Sequence, residues 1–365
     1  MRLCKPVEVR NPAGRECLIG LVCLIGLGCF VWLAMLGRLT AARAESPGGP
    51  PPLVADMLPA ELPHDAAPLG LGPPPAPPAG NATTPERVRL GRKLFFDPRL
   101  SADGTVACAS CHDPAHGFAS AAPRAIGILG RVGTRNAPSL LNRAYGKSFF
   151  WDGRSQTLED QALEPIANPL EMGAAVGDVV ARLNADPEDR AAFDAAYAGG
   201  VTAENLGRAL AAFERAIVSG GSRVDRFQAG EVAALNDSQR IGLWLFESRA
   251  QCWRCHRGPN YTDEKFHNTG VAALQAKPDA GRHGATHDEA DRGHFKTPGL
   301  RDVSRTAPYM HDGSLATLRD VVEYYNRGGG QSAGLDRAIK PLGLSREEVN
   351  HLVAFLESLD GSDAP

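Results

Sequence analysis

From residue 83 onward the hydrophobic positions fall at helical spacing. Thr84 and Pro85 form a helix start ahead of Val88, Gly91, Leu94 and Phe95, pairing a capping hydroxyl with a proline whose missing N–H costs nothing in a first turn. Leu206, Leu210, Phe213 and Ile217 share one helical face, and Ile241, Trp244, Leu245 and Ser248 predict another helix leading toward residue 252. Thr317 with Asp320, and Ser345 with Glu348, have the spacing of capping boxes. The first pair precedes Leu318, Val321, Val322 and Tyr325 at i, i+3, i+4 and i+7; the second precedes Val349, Leu352, Leu356 and Leu359. Tyr325 is therefore predicted to look inward and Tyr324 to point off that face. Strand-like alternation is scarce, so the chain is predicted to be mainly α.

The first 82 residues follow different rules. Arg2, Lys5, Arg10 and Arg15 precede an uncharged apolar stretch from Cys17 to Leu36, and Ala42-Arg43-Ala44 follows. Residues 1–44 read as an export signal cleaved after Ala44 or, because about 20 apolar residues can span a bilayer, as a membrane anchor. Both readings place the remainder in the periplasm. Residues 45–82 are rich in Pro, Gly and Ala, as in GLGPPPAPPAG, and read as an extended linker ahead of a folded part that begins near Thr83. The length of 365 residues, with 43% hydrophobic and 22% charged, allows two domains with proper cores. A net charge of -3 and the lack of a long basic run argue against a nucleic-acid partner.

The cysteines narrow the chemistry. Four of the eight, Cys4, Cys17, Cys23 and Cys29, lie in the leader, and the rest form Cys108-Ala109-Ser110-Cys111-His112 and Cys252-Trp253-Arg254-Cys255-His256. A CxxCH motif can be a thiol redox centre, a zinc site or a c-type haem attachment, and the histidine directly after the second cysteine favours haem. Two thiols bond to the haem vinyl groups while the adjacent imidazole ligates iron. The prediction is two covalently bound haem c groups, on His112 and His256. Because Cys108 and Cys252 are 144 positions apart, each haem has room for its own domain, residues 83–228 and 229–365, joined near residues 220–236. His267, His283, His287 and His294 lie in a polar stretch, where local hydrogen bonds suffice and no metal is needed.

Three segments, LGRKLFFDPRLSADGTVACASCHDPAHGFA, FFWDGRSQTLEDQALEPIANPLEM and FKTPGLRDVSRTAPYMHDGS, resemble the bacterial di-haem cytochrome c peroxidase and MauG superfamily, in order and spacing, from about Thr84 to Gly361. The resemblance implies two cytochrome c-like haem domains, with hydrogen peroxide reacting at the His112 haem. Where many members carry a blocking histidine, this chain has Ile128, which implies the permanently open iron of the MauG-like branch; a shifted loop alignment would offer His116 instead. Glu171 matches the carboxylate that moves the peroxide proton, Gln161 another residue of that pocket, and Trp151 the tryptophan between the haems. Asn136, Thr306 and Pro308 match a calcium site. The slot for the sixth ligand of the second haem falls on Tyr325, with Met310 as the rival.

The function implied is oxidation of a protein partner by hydrogen peroxide through high-valent haem. One alternative is a peroxide-detoxifying cytochrome c peroxidase fed by a small c-type cytochrome; another is a non-enzymatic electron-transfer cytochrome. The tryptophan that relays electrons from methylamine dehydrogenase in the MauG-type pattern is not matched, since Arg249, Ala250 and Gln251 precede the second motif.

Overall fold

The computed structural model describes residues 67–361. The predicted signal or anchor and the first part of the linker lie outside the described residues. Ten α-helices follow: α1 Pro85–Phe95, α2 Leu158–Ala167, α3 Val176–Ala185, α4 Pro187–Ala196, α5 Ala203–Ala216, α6 Arg223–Gln228, α7 Asp237–Glu247, α8 His283–Thr286, α9 Leu318–Asn326 and α10 Arg346–Glu357. Among the described residues the strands are two of two residues each, β1 Phe266–His267 and β2 Phe295–Lys296, paired antiparallel with Phe266 opposite Lys296. The chain is thus mainly α. Among the described residues no helix is long and apolar enough to cross a membrane.

The predicted caps form. Thr84 Oγ1 accepts from the Arg87 N–H at 3.4 Å, and Thr317 Oγ1 from the Asp320 N–H at 3.1 Å. Glu348 completes its box by accepting from the Ser345 N–H at 2.8 Å. Two large hydrophobic clusters result among the described residues, one built on α1 to α5 and the other on α7, α9 and α10 with Val224 of α6, beside a small one of Phe149, Leu158 and Ala211. Leu206, Leu210, Phe213 and Ile217 are all buried in the first.

The two halves repeat one plan. A Cβ on Gly91 would lie 1.9 Å from the Ala209 carbonyl oxygen and 2.8 Å from Phe213 Cβ, so α1 and α5 touch backbone to backbone there. A Cβ on Gly242 would meet the His351 carbonyl oxygen at 2.0 Å and Phe355 Cβ at 2.7 Å, the same contact between α7 and α10. This crossing corrects the predicted face of α7. Gly242, Leu245 and Phe246 face the core, whereas Ile241 and Trp244 are 42% and 60% exposed, because the glycine line sets which side can approach α10.

α2 and α9 match as well. Each is capped by a threonine, Thr157 or Thr317, and follows a tight reversal closed by a bridge, Phe149 to Ser155 or Tyr309 to Leu315. Counted from these caps, the place that Tyr325 occupies in α9 is held by Pro165 in α2.

The linker joins the body before Thr83. Residues 67–82 form no regular element, yet Leu71 is buried, the Gly221 N–H donates to the Leu69 carbonyl at 2.9 Å, and Asn81 Nδ2 donates to Glu159 Oε1 at 2.7 Å. A proline-rich segment has few donors of its own, but its carbonyls remain acceptors.

Candidate active site

Both CxxCH motifs fold into the same short turn, with the His112 N–H on the Cys108 carbonyl and the His256 N–H on the Cys252 carbonyl, each at 2.9 Å. The chain then bends back through Phe118 and Tyr261, whose φ angles are 54° and 51°, and presents a carbonyl to each ring. His112 Nδ1 lies 3.0 Å from the Phe118 oxygen and His256 Nδ1 2.9 Å from the Tyr261 oxygen. A carbonyl only accepts, so Nδ1 carries the proton and Nε2 keeps its lone pair for a metal. Burial holds both imidazoles below the ordinary histidine range and hence neutral. None of Cys108, Cys111, Cys252 and Cys255 is in a disulfide. The first motif lines a cavity of 450 Å³ and the second a cavity of 260 Å³. Each therefore offers the thiols, imidazole and apolar space that a haem requires.

The first cavity is also lined by Gln161, Pro165, Glu171 and Met172. Past α2, Asn168 organises the turn that returns Glu171 to the cavity, accepting from the Leu170 N–H at 3.0 Å and donating from Nδ2 to Glu171 Oε1 at 2.8 Å. Burial pushes the Glu171 carboxyl above its ordinary value, outweighing the Arg154 charge and the Asn168 hydrogen bond.

Ile128 does not line this cavity. It is buried in the first cluster, and its N–H donates to the Glu171 carbonyl at 2.8 Å, so it braces the turn from behind. His116 is also outside the cavity, with Nδ1 2.8 Å from Asp113 Oδ2. Among the described residues His112 is the only histidine lining the first cavity.

Trp151 and Asn136 line both cavities, and Trp151 Nε1 donates to the Asn136 carbonyl at 2.9 Å. Asn136 Nδ2 donates to the Ala122 carbonyl at 2.9 Å, which leaves Oδ1 as an acceptor. Thr306 and Pro308 join Asn136 in the second cavity's wall.

Tyr325 and Met310 both line the second cavity as well. Burial pushes the Tyr325 phenol above its ordinary value. Tyr324 departs from expectation: it is 4% exposed and its hydroxyl donates to the Thr269 carbonyl at 2.7 Å. The glycine run after α9 folds back over the helix end, with the Gly330 N–H on the Thr269 carbonyl at 3.1 Å, and buries a second face.

His267 is held between Asp336 Oδ2 at 2.5 Å and Asp263 Oδ2 at 3.1 Å, while His283 and His294 use nearby backbone carbonyls. Cys255, Asp263 and His267 stand close enough to bind a metal ion, but Cys255 belongs to the second motif.

Of the ionisable residues that line the first cavity and that the sequence pattern did not single out, burial prevails against the charged form in two. Lys296, 7% exposed and shared with the second cavity, has its ammonium pushed down to about 8 by burial while pairing with Glu264. Glu214, 5% exposed, is the other. Charged residues on a helix and a two-residue strand carry no sequence sign of burial; the apolar Leu210 and Phe213 beside Glu214 are the only hint.

The family model for di-haem cytochrome c peroxidase matches residues 85–233. The methylamine utilization protein MauG of Methylorubrum extorquens is 41% identical over 291 residues, covering 79% of this chain and 82% of that protein. The cytochrome-c peroxidase IdrP1 of Denitromonas iodatirespirans is 38% identical over 323 residues, covering 80% of this chain and 86% of its own length. The crystal structure of a MauG-like protein associated with microbial copper homeostasis aligns with a TM-score of 0.74 at 34% identity, over 80% of this chain and 94% of that one.

Proposed function

Because the chain belongs to the di-haem cytochrome c peroxidase family and is a peroxidase by that membership, we propose that it acts in the MauG-like manner, using hydrogen peroxide to oxidise a protein partner. Cys108, Cys111 and His112 would hold one haem c covalently, and Cys252, Cys255 and His256 the other, with Tyr325 as its sixth ligand, in domains of residues 83–228 and 229–365. The haems supply the iron redox chemistry that takes up the oxidising equivalents of peroxide. The single observation that carries the reading is a first cavity in which a buried, proton-avid carboxyl accompanies one histidine and no second.

The protein's own part in the reaction is chiefly proton management. Asn168 holds Glu171 through Oε1, and the carboxyl would take a proton from peroxide in the cavity and return it to the departing oxygen. A carboxyl whose pKa is raised by burial does both near neutral pH better than an ordinary one. Gln161 adds an amide to the same wall, and Trp151 joins the two cavities electronically. Asn136 Oδ1 with the Thr306 and Pro308 carbonyls would hold calcium, for which oxygen ligands are suited. Residues 1–44 would direct export to the periplasm or anchor the protein there. The alternative, a detoxifying cytochrome c peroxidase fed by a small c-type cytochrome, draws on Met310 in the second cavity; as a neutral, soft ligand it would favour reduced iron.

Electron paramagnetic resonance of the ferric holoprotein, followed by peroxide titration, tests the proposal. One high-spin and one low-spin haem are expected at rest, and both should respond to peroxide. Glu171→Gln should slow the reaction about 100-fold or more with the resting spectra unchanged. Two low-spin haems, or an unaltered rate in the variant, would contradict it.

A further inference from the structure

Where the two halves differ within a shared plan, the fold does not demand the difference. Phe213 meets Gly91 as Phe355 meets Gly242, so α5 and α10 can be read in register, and the next residue is Glu214 in one and Leu356 in the other. Leu356 lines the second cavity and Glu214 the first. An apolar side chain thus satisfies this position, yet the first half places a carboxyl there.

The approach of α5 to α2 sets the direction of Glu214. A Cβ on Gly207 would lie 2.7 Å from the Glu159 carbonyl oxygen, and Ala211, one turn on, packs with Phe149 and Leu158. Glu214 continues this face into the cavity wall. Its Oε2 is buried without a hydrogen-bond partner. Neither nearby cation bonds to it: Arg215 Nη2 contacts both oxygens of Glu159 at 2.6 and 2.7 Å while its Nη1 is buried without a partner, and Arg143 pairs with Glu264 at 3.0 Å. Burial disfavours the carboxylate and, outweighing the charges of Arg215 and Arg143, pushes the Glu214 carboxyl up to about 8.

We propose that Glu214 is a positioning residue of the first cavity, keeping its proton and donating it in a hydrogen bond to an oxygen of what the cavity holds, a haem carboxylate or an ordered water. The inference rests on the reading that this cavity holds a haem. It separates Glu214 from Glu171, whose carboxyl already accepts from Asn168 and whose proton must move.

Infrared difference spectroscopy of the holoenzyme between its oxidised and reduced states tests this. A protonated-carboxyl C=O band that shifts down in D2O is expected, lost in Glu214→Gln and retained in Glu171→Gln. Glu214→Leu, which installs the second half's residue, should lose it too. If the acceptor is a haem carboxylate, its bending mode in resonance Raman spectra moves in Glu214→Leu; if it is water, that mode stays while the infrared band is still lost. A wild-type protein with no such band overturns the inference without any variant, as does a band that survives in Glu214→Gln. A purified protein without haem overturns the functional reading beneath it instead.

Discussion

A tyrosine and a methionine share the wall of the second cavity, and under the proposed function whichever ligated the iron there would set the character of that haem, since a phenolate is a hard anion and a thioether a soft neutral donor. Tyr325→Phe should replace the low-spin signal of the second haem in the paramagnetic resonance spectrum with a high-spin one, while Met310→Ala leaves it in place. The opposite pair of results would give the ligand to Met310 and favour the detoxifying reading. Tyr324→Phe should leave both haem spectra alone and cost about 1 kcal/mol of stability, through the lost hydrogen bond to Thr269. The helical period identified an inward Tyr325 but not a buried Tyr324. The turn that covers Tyr324 is made by Gly328 to Gly330 folding back, a contact beyond the reach of helix periodicity.

At the scale of elements, glycine marks the lines along which helices meet. Alanine normally favours a helix over glycine by about 1 kcal/mol, but Gly242→Ala would force α7 away from the α10 backbone and should instead destabilise the fold by about 1–3 kcal/mol. Gly177, in α3, has open space around its Cβ position, so Gly177→Ala should be neutral or stabilising by up to about 1 kcal/mol. Denaturant titration of the two variants beside wild type checks the contrast. Equal stability would mean that α7 and α10 can separate without loss. The same crossing explains why α7 was legible as a helix while its face was not: period locates a stripe, but with a glycine at its centre the largest side chains of that stripe, Ile241 and Trp244, are left outside.

At the scale of the whole molecule, buried polar pairs tie distant segments together. Arg301 joins Asp225 through two bonds, at 2.6 and 2.9 Å, and also donates to the Pro259 and Gly70 carbonyls. Burial would raise the Asp225 carboxyl, but the Arg301 hydrogen bonds and charge, with Ser222, outweigh it and hold it below its ordinary value. Such a carboxylate contributes stability that is fully present above the unfolded value near 3.8 and lost as pH falls through the lower folded value. Asp225→Asn should cost about 3–5 kcal/mol at neutral pH by leaving the Arg301 charge buried and unpaired, and should flatten the acid limb of the melting curve. Thermal melts of the holoprotein from neutral pH down to the ordinary carboxylate range would show both effects. An unchanged acid limb would assign acid sensitivity to other groups.

The sequence by itself determined what is local or covalent in kind. The two CxxCH motifs, the capped helices and the mainly α architecture depend on spacings within a few residues, where backbone geometry alone decides which side chains meet. Glu171 was named only through the family resemblance, and a local turn held by Asn168 brings its carboxyl to the first cavity. Tertiary structure alone decided which groups lost their water. Ile128 lies behind the Glu171 turn rather than in the cavity, Tyr324 is covered by a glycine run, and Lys296 and Glu214 end in the cavity walls. The free energy of a charge or a hydroxyl depends on the solvent and partners around it, and those partners come from remote parts of the chain: Glu264 for Lys296, and for Glu214 the α2 helix that Gly207 allows to approach.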